Sequence, residues 1–453
     1  MKRLKHYSVS VMSDSAKLSV ENTDEMAASG YNWIAARRDC FSNASVDCGH
    51  EHCNTATKEL HLNELLRVPP LCDEVLCDNN AGTSQQGRLQ KHVVDISSQN
   101  VHTVPDSIFD MADMITELDM AYNSLANIPE SLCHSLINVT YLSVAGNELL
   151  ELPCAVSFLS QLVDLNISSN KLTSLPSSIV SLSKLRSFNF STNEITTLPA
   201  EFGRLTALDK VVGYENQLQH LPDTLGLLRQ LSTLELNDNC LTCLPRNFGF
   251  LSSLKILNLS VNKLSSLPES FSNLKLVEVM DLTDNLVETL PSRFRSCTLL
   301  RQLFVAKNRL RVLPDWFCDM PELEELVLSG NQLVESPFPE NFGDVSVRLK
   351  VFEIAGNYVR RLPESFGRLS CLHRLHVGSL IDELERKDFQ NGNWIWKLPT
   401  NFGCLIALRH ANLNENQICE LPCDFGSLVL LEWLDLGMCF VFSFLTVLIQ
   451  HLI

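Results

Sequence analysis

Two small groups of cysteine and histidine are the residues of this sequence whose types and spacing could support chemistry. The run CGHEHC contains Cys48, His50, His52 and Cys53, and thiolate and imidazole groups are the ligands that zinc prefers. The two histidines are separated by a single residue, a spacing that no familiar zinc finger uses. The sequence therefore favours a flexible segment with free thiols over a zinc site.

The second group is a C-x-x-C pair, Cys240 and Cys243, a spacing that occurs in redox and metal sites. Both cysteines occupy positions that vary between the repeats described below, so neither chemistry is predicted for them. The sequence contains no G-x-S-x-G, G-x-x-x-x-G-K-[ST], H-E-x-x-H or G-x-G-x-x-G motif, and its 12 histidines are dispersed. We therefore predict a protein that is not an enzyme and that uses no cofactor or metal.

Composition narrows the class of partner. The 453 residues are 45% apolar and 20% charged, which is typical of a folded domain, and the formal net charge is −17. Nucleic acid binding requires clustered Lys and Arg, so the acidic balance argues against it and favours a basic protein surface. The basic start lacks an apolar core of signal-peptide length, and the 16 cysteines show no disulfide framework. These features predict a cytoplasmic protein, with membrane association disfavoured.

One asparagine recurs through most of the chain at a step of 24 residues once and 23 thereafter, and at longer steps near the end. The series is Asn123, Asn147, Asn170, Asn193, Asn216, Asn239, Asn262, Asn285, Asn308, Asn331, Asn357, Asn393 and Asn416. Gln99 and Cys439 occupy the matching places at its two ends, and a Leu-Pro pair such as Leu175 and Pro176 follows most of the asparagines. About 15 repeat units are predicted, the last of them incomplete.

Each part of the repeat has a physical reading. In the L-x-L core, Leu165 and Ile167 alternate inward from a short strand. The asparagine can hydrogen-bond backbone groups where the chain turns, and the proline suits the loop after the strand because it lacks an N–H. No unit can bury its own apolar face, so neighbouring units must stack. We expect Asn170, Asn193 and Asn262 to be buried and bonded to backbone.

The spacing L-x-x-L-x-L-x-x-N-x-L-x-x-L-P resembles the leucine-rich repeat, which implies an α/β solenoid with a curved parallel sheet on its concave face and short helices or 3-10 turns outside. The 23-residue unit is similar to the intracellular kind found in Ras-pathway scaffolds, Ras-suppressor proteins, plant intracellular Ras-group proteins and Scribble-type domains. That resemblance implies a non-enzymatic platform for a small GTPase or a phosphatase complex. Some such scaffolds recruit a phosphatase through a basic-Val-x-Phe motif, and this sequence lacks one.

The repeat register predicts three parts: a largely disordered leader over residues 1–89, a leucine-rich repeat domain over 90–439 and an apolar tail over 440–453. The tail is either a cap on the last coil, an early chain end or a short membrane anchor, and the first two are favoured because its apolar run is too short to span a bilayer comfortably. A long insertion between Asn357 and Asn393 contains the charged tract Asp382 to Asp388.

Residues that flank the inward leucines of each strand should point outward on the concave face, where a partner could bind. The residues that we predict to bind it are Tyr214, Glu235, Asp238, Asp281, Asp284 and Phe304, followed by Trp394 and Trp396 after the insertion. Acid beside exposed aromatics suggests a basic protein surface, although a chain this acidic exposes carboxylates widely. The tryptophans flank an inward Ile395 and serve either as interface anchors or as cover for the inserted loop.

Two functions from different classes fit these features. The leading interpretation is a cytoplasmic interaction scaffold in intracellular signalling. The alternative is a membrane-tethered or extracellular recognition protein, with the tail as its anchor and the Asn-x-Ser/Thr sequons glycosylated. Three of the sequons, at Asn166, Asn189 and Asn258, arise from the repeat motif itself, so they do not separate the two.

Overall fold

A computed structural model describes most of the repeat region. The described residues are 6–8, 92–314, 316, 320–380 and 392–439. Their main element is a parallel β-sheet to which each repeat contributes one strand of three residues, paired in register with the strands of the neighbouring coils. This arrangement confirms the predicted leucine-rich repeat solenoid with a parallel sheet on its concave side.

The strands follow the repeat along the chain. In order they are β1 His6–Ser8, β2 Val93–Asp95, β3 Glu117–Asp119, β4 Tyr141–Ser143, β5 Asp164–Asn166, β6 Ser187–Asn189, β7 Lys210–Val212, β8 Thr233–Glu235, β9 Ile256–Asn258, β10 Val279–Asp281, β11 Gln302–Phe304, β12 Glu325–Val327, β13 Val334–Glu335, β14 Val351–Glu353, β15 Tyr358–Val359, β16 Arg374–His376, β17 His410–Asn412 and β18 Trp433–Asp435. β13 and β15 form a separate two-stranded parallel sheet, and β1 pairs with β18 at the far edge of the main sheet.

Short helical turns lie on the opposite side of the coils, as predicted. The α-helices are α1 Asp106–Asp110, α2 Glu130–Ser135 and α3 Phe342–Val345, and the 3-10 turns are Cys154–Phe158, Ser177–Ser181, Phe202–Arg204, Asp223–Leu227, Phe248–Phe250, Glu269–Asn273, Phe294–Ser296, Glu364–Arg368, Phe402–Cys404 and Phe425–Ser427. A proline precedes many of them, such as Pro176 at φ −64° and ψ 140°. Proline suits this place because the first turn of a helix leaves its N–H groups unpaired.

The core lies between the sheet and these turns. The middle residue of each strand points inward, and Leu165, Leu234 and Leu257 are completely buried there. Phenylalanines fill the outer side of the core, where the rings of Phe248 and Phe271 stack at 5.2 Å across neighbouring coils. Burying one such side chain contributes about 1.5–3 kcal/mol, and the burial is supplied by the next coil. Each repeat is therefore stable only within the stack.

A ladder of buried asparagines joins the coils where the strands end. The Asn262 amide Nδ2 donates to Leu236 O at 2.9 Å and to Leu259 O at 3.1 Å. Its Oδ1 accepts from the Leu241 N–H of the preceding coil at 2.9 Å. Asn170 and Asn193 are also buried and make the same kinds of bond, which confirms the prediction made for all three.

The ladder ends with a cysteine. The Cys439 thiol takes the place of the asparagine and donates to Leu413 O at 3.2 Å, so it reproduces only part of the pattern. Burial raises the pKa of Cys439 to about 11, which keeps the thiol neutral at physiological pH. The backbone N–H groups of Asn416 and Ile418 also bond the sulfur, but sulfur is a weak donor and acceptor, so the terminal coil is attached by weaker hydrogen bonds than the coils before it.

Several predicted features lie outside the described residues. These are the leader apart from β1, the CGHEHC run, the tract Asp382 to Asp388 and the apolar tail 440–453. Leu380, at the start of the insertion, extends back over an earlier coil. Its Cδ1 lies so close to Gly330 that a Cβ added to that glycine would be 3.0 Å away. The insertion therefore begins above the edge of the sheet at which the strands end.

Removing one rung of the ladder should destabilise the fold. Asn262→Ala leaves buried backbone groups unpaired, so we expect the free energy of unfolding to fall by about 1–3 kcal/mol. Urea denaturation followed by circular dichroism measures the change. The exposed neighbour Lys263 provides the control, since Lys263→Ala should change stability by less than about 0.5 kcal/mol. Equal effects of the two substitutions would contradict the role of the ladder.

Completing the ladder should stabilise its end. In Cys439→Asn, an amide can donate to Leu413 O and its oxygen can accept from the Ile418 N–H, as the other rungs do. We expect a gain of about 0.5–1.5 kcal/mol, read from thermal melting in reducing buffer. Cys419→Asn changes an exposed cysteine nearby and should leave the melting temperature unchanged. A lower melting temperature in Cys439→Asn would show that the terminal coil does not continue the ladder.

Candidate functional site

Two rows of side chains face outward from the concave sheet, because alternate residues of a strand point to opposite faces. We call the row formed by the last residue of each strand the third-residue row. Parallel register places its members side by side at a spacing of about 4.8 Å. Across the middle of the sheet the row contains, in order, Val212, Glu235, Asn258, Asp281, Phe304, Val327 and Glu353.

Three of the residues predicted to bind a partner belong to this row. Glu235 and Asp281 flank Asn258, so their carboxylates project from strands two steps apart. Phe304 follows directly beside Asp281. All three side chains are half-buried on a hydrogen-bonded sheet. Their positions are already fixed, so a partner that docks there pays little entropy to order them. The structure brings these three together as one surface.

The other three residues border the row at the edge where the strands end. Asp238 and Asp284 adopt left-handed conformations, with φ of 52° and 55°. The N–H of Asp238 donates to Ser260 O at 3.0 Å, which holds this uncommon turn in place. Tyr214 occupies the preceding position of its own coil, and its carbonyl accepts from the Thr192 N–H at 2.9 Å. These residues extend the acidic surface beyond the strands.

Asp281 has a structural role beside its charge. Its Oδ1 accepts from the Thr283 N–H at 2.9 Å and so closes the turn after the strand. On the neighbouring strand, Asn258 closes the equivalent turn by accepting from the Ser260 N–H at 3.0 Å. A neutral asparagine is therefore sufficient to close this turn.

The row continues beyond the residues predicted from the sequence. Val327 and Glu353 lie on the next two strands, and Glu325 begins the strand of Val327. Burial raises the pKa of Glu325, and the nearby carboxylate of Glu353 raises it further against the opposing effects of Gln302 and Arg374. Burial also raises the pKa of Glu353. The same L-x-L spacing that located the earlier residues could have found these.

The two tryptophans belong to a different surface. Trp394 and Trp396 are 36% and 56% exposed, and Ile395 between them is completely buried, as expected. The Trp394 N–H donates to Val359 O at 2.8 Å, so the pair lies beside β15 and not in the main sheet. The structure thus does not bring the tryptophans together with Glu235, Asp281 and Phe304, the part of the third-residue row that we call the acidic row.

The C-x-x-C pair is the candidate for metal or redox chemistry that lies within the described residues. Cys240 and Cys243 are free thiols, and the Cys243 Sγ lies 4.0 Å from His220 Nδ1. Among the described residues, His, Cys, Asp and Glu do not form any group of three that could hold a metal ion. Within the same residues, every helix is too short or too polar to cross a lipid bilayer.

Comparison with known proteins agrees with this architecture. The family described as Leucine rich repeat matches residues 160–211, 229–287 and 286–333. A leucine-rich repeat protein of Leptospira interrogans has a TM-score of 0.69 at 30% identity, with 76% of this chain and 84% of that chain covered. No curated protein matches the chain.

Two further structures share the fold alone. The plant peptide hormone receptor RGFR1, solved in complex with RGF2, has a TM-score of 0.62 at 24% identity. The alignment covers 74% of this chain and 57% of the receptor chain. An internalin (inlF) from Listeria monocytogenes has a TM-score of 0.59 at 20% identity, with 72% and 88% covered. Given the repeat ladder, the sheet and the 30% identical relative, this chain belongs to the leucine-rich repeat family.

Proposed function

We propose that this protein is a non-enzymatic scaffold that binds a basic surface of a partner protein on its concave face. The observation that carries the proposal is the middle of the third-residue row, where the Asp281 carboxylate lies beside the ring of Phe304 and the Glu235 carboxylate lies two strands from Asp281 on the same face. Carboxylates near a half-exposed aromatic ring suit a partner surface on which lysine or arginine surrounds an apolar residue.

The finer proposal is that the scaffold acts in cytoplasmic signalling and that its partner is a Ras-type small GTPase or a phosphatase complex. Its support is the resemblance of the 23-residue Leu-Pro repeat to intracellular scaffolds of that type. Ten cysteines of the described residues are free thiols, and six of them are exposed. A reducing compartment preserves exposed thiols, which agrees with the cytoplasm.

The alternative, a membrane-tethered or extracellular recognition protein, makes a different prediction for the concave face. Asn166, Asn189 and Asn258 are the sequon asparagines on strands of the sheet, and glycans there would cover the proposed binding surface. We expect glycosidase treatment of the protein from its natural cells to leave its electrophoretic mobility unchanged. A shift toward lower mass would favour the alternative.

Neutralising the acidic row should weaken binding without unfolding the protein. Affinity capture with the full chain, followed by mass spectrometry, supplies the partner, and calorimetry then measures its Kd. In Glu235→Gln with Asp281→Asn, two charges are lost while the turn at Asp281 keeps an acceptor oxygen, as at Asn258. We expect Kd to rise at least about 10-fold, or about 1.4 kcal/mol, and to depend less on salt than in the wild type.

A gain-of-charge variant provides the matched control. Asn258→Asp keeps the acceptor for the Ser260 N–H and adds a third carboxylate between the first two, so it should tighten binding at low salt. Glu148→Gln removes an exposed charge several coils before Glu235 and should not change Kd. An unchanged Kd in the double variant, with an unchanged melting temperature, would exclude the acidic row as the site. Capture of neither a small GTPase nor a phosphatase subunit would overturn the finer proposal alone.

A further inference from the structure

We propose that the side of the solenoid near its carboxyl end is a second binding surface, which accepts an acidic segment of a partner protein that carries an aromatic side chain. This surface, the basic flank, consists of Tyr358, Arg360, Arg361, Trp394, Trp396 and Lys397. Its charge is opposite to that of the acidic row, so it extends the proposed function to a second ligand of different chemistry.

The basic flank is created by the stacking of two coils. After Asn357 the chain alternates between outward Tyr358 and Arg360 and buried Val359, and after Asn393 it alternates in the same way. The Trp394 N–H donates to Val359 O at 2.8 Å and holds the two segments side by side. Residues that lie far apart in the sequence therefore form one continuous face.

Aromatic and cationic groups contact one another on this face. The rings of Tyr358 and Trp394 meet edge to face at 5.6 Å, and the Arg360 guanidinium lies 5.5 Å from the centre of the Trp394 ring. Arg360 also forms an exposed ion pair with Glu335 at 3.3 Å. These contacts orient the guanidinium while leaving it half exposed, and an exposed ion pair is weak enough for a partner's carboxylate to replace it.

A cleft opens between these side chains. Its volume is about 400 Å³, and it is lined by Arg360, Trp394, Trp396 and Gln417. The cleft is open to solvent, so it can seat one face of an aromatic side chain against the tryptophans without enclosing it. Trp396 is 56% exposed at the rim, and exposed tryptophan and arginine are the residues that most often contribute large binding energies at interfaces.

Charge selects an acidic occupant. The protein as a whole carries −17, yet Arg360, Arg361 and Lys397 lie together on this flank, and Arg309 and Arg311 extend the positive charge two coils earlier. At the matching positions of a central coil the residues are the single cation Lys263 and the neutral Ser265. The repeat motif does not require cations at these positions, so their clustering is specific to the coils near the carboxyl end.

The same side chains fit a protein segment better than a nucleic acid. Glu335 pairs with Arg360, and Glu340 lies 3.5 Å from Arg361, so carboxylates are interspersed among the cations. A phosphate backbone needs a continuous positive track, whereas a peptide can place single carboxylates beside single cations. The cleft then holds an aromatic residue between them.

The test uses the full chain and a fluorescein-labelled, end-capped peptide of alternating Glu and Phe, with binding followed by fluorescence anisotropy. We expect the peptide to bind, and peptides with Gln for Glu or Ala for Phe to bind at least about 10-fold more weakly. Arg360→Gln with Trp396→Ala should weaken binding of the Glu-Phe peptide by the same factor or more. Thermal melting establishes that each variant is folded.

Matched variants separate this surface from the rest of the protein. Lys263→Gln removes a cation from the same flank in a central coil, and Phe250→Ala removes an aromatic ring that is 53% exposed elsewhere. Both should bind the peptide as the wild type does. The variant Glu235→Gln with Asp281→Asn should also bind it normally, whatever the fate of the concave-face proposal.

Three results would overturn the inference. The first is unchanged peptide binding in Arg360→Gln with Trp396→Ala. The second is equal or tighter binding of a peptide with Lys in place of Glu, which would assign the peptide to the acidic row. The third is tighter binding of an oligothymidylate than of the Glu-Phe peptide, since that would identify the basic flank as a nucleic acid surface.

Discussion

The hydrogen bonds of the buried asparagines are the interaction on which the rest of the structure depends. Where each strand ends, the chain turns toward the outer side of the coil, and this turn buries backbone groups that no strand partner satisfies. One amide such as that of Asn262 bonds carbonyls of its own turn and an N–H of the coil before. A coil is therefore complete only when its neighbour is in place, and stability is a property of the whole stack.

One repeat can present surfaces of different charge because its inward and outward positions have separate roles. The asparagine and the middle residue of each strand point inward, so the outward positions are free to differ from coil to coil. In the central coils they place Glu235 and Asp281 on the concave sheet, and in the last coils they place Arg360 and Trp396 on the flank. A partner with a basic surface and one with an acidic segment would thus meet different faces and could bind together.

The carboxyl end shows what the ladder requires. Cys439 bonds Leu413 O and the Ile418 N–H through its sulfur, which is a weaker hydrogen-bonding group than an amide, so the last coil is joined more weakly than those before it. The edge of the sheet there is not left open, because His6–Ser8 pairs in parallel with Trp433–Asp435. Covering an edge strand in this way satisfies backbone groups that would otherwise attract another chain.

The sequence by itself determined the repeat, the strands and the burial of the asparagines, because each depends on residues within a fixed spacing. It also placed Glu235, Asp281 and Phe304 side by side, since parallel register preserves that spacing. Only the tertiary structure decided that Trp394 meets Arg360 and Tyr358. The insertion breaks the period between those coils, so sequence distance no longer measures proximity, and stacking alone brings the three side chains together.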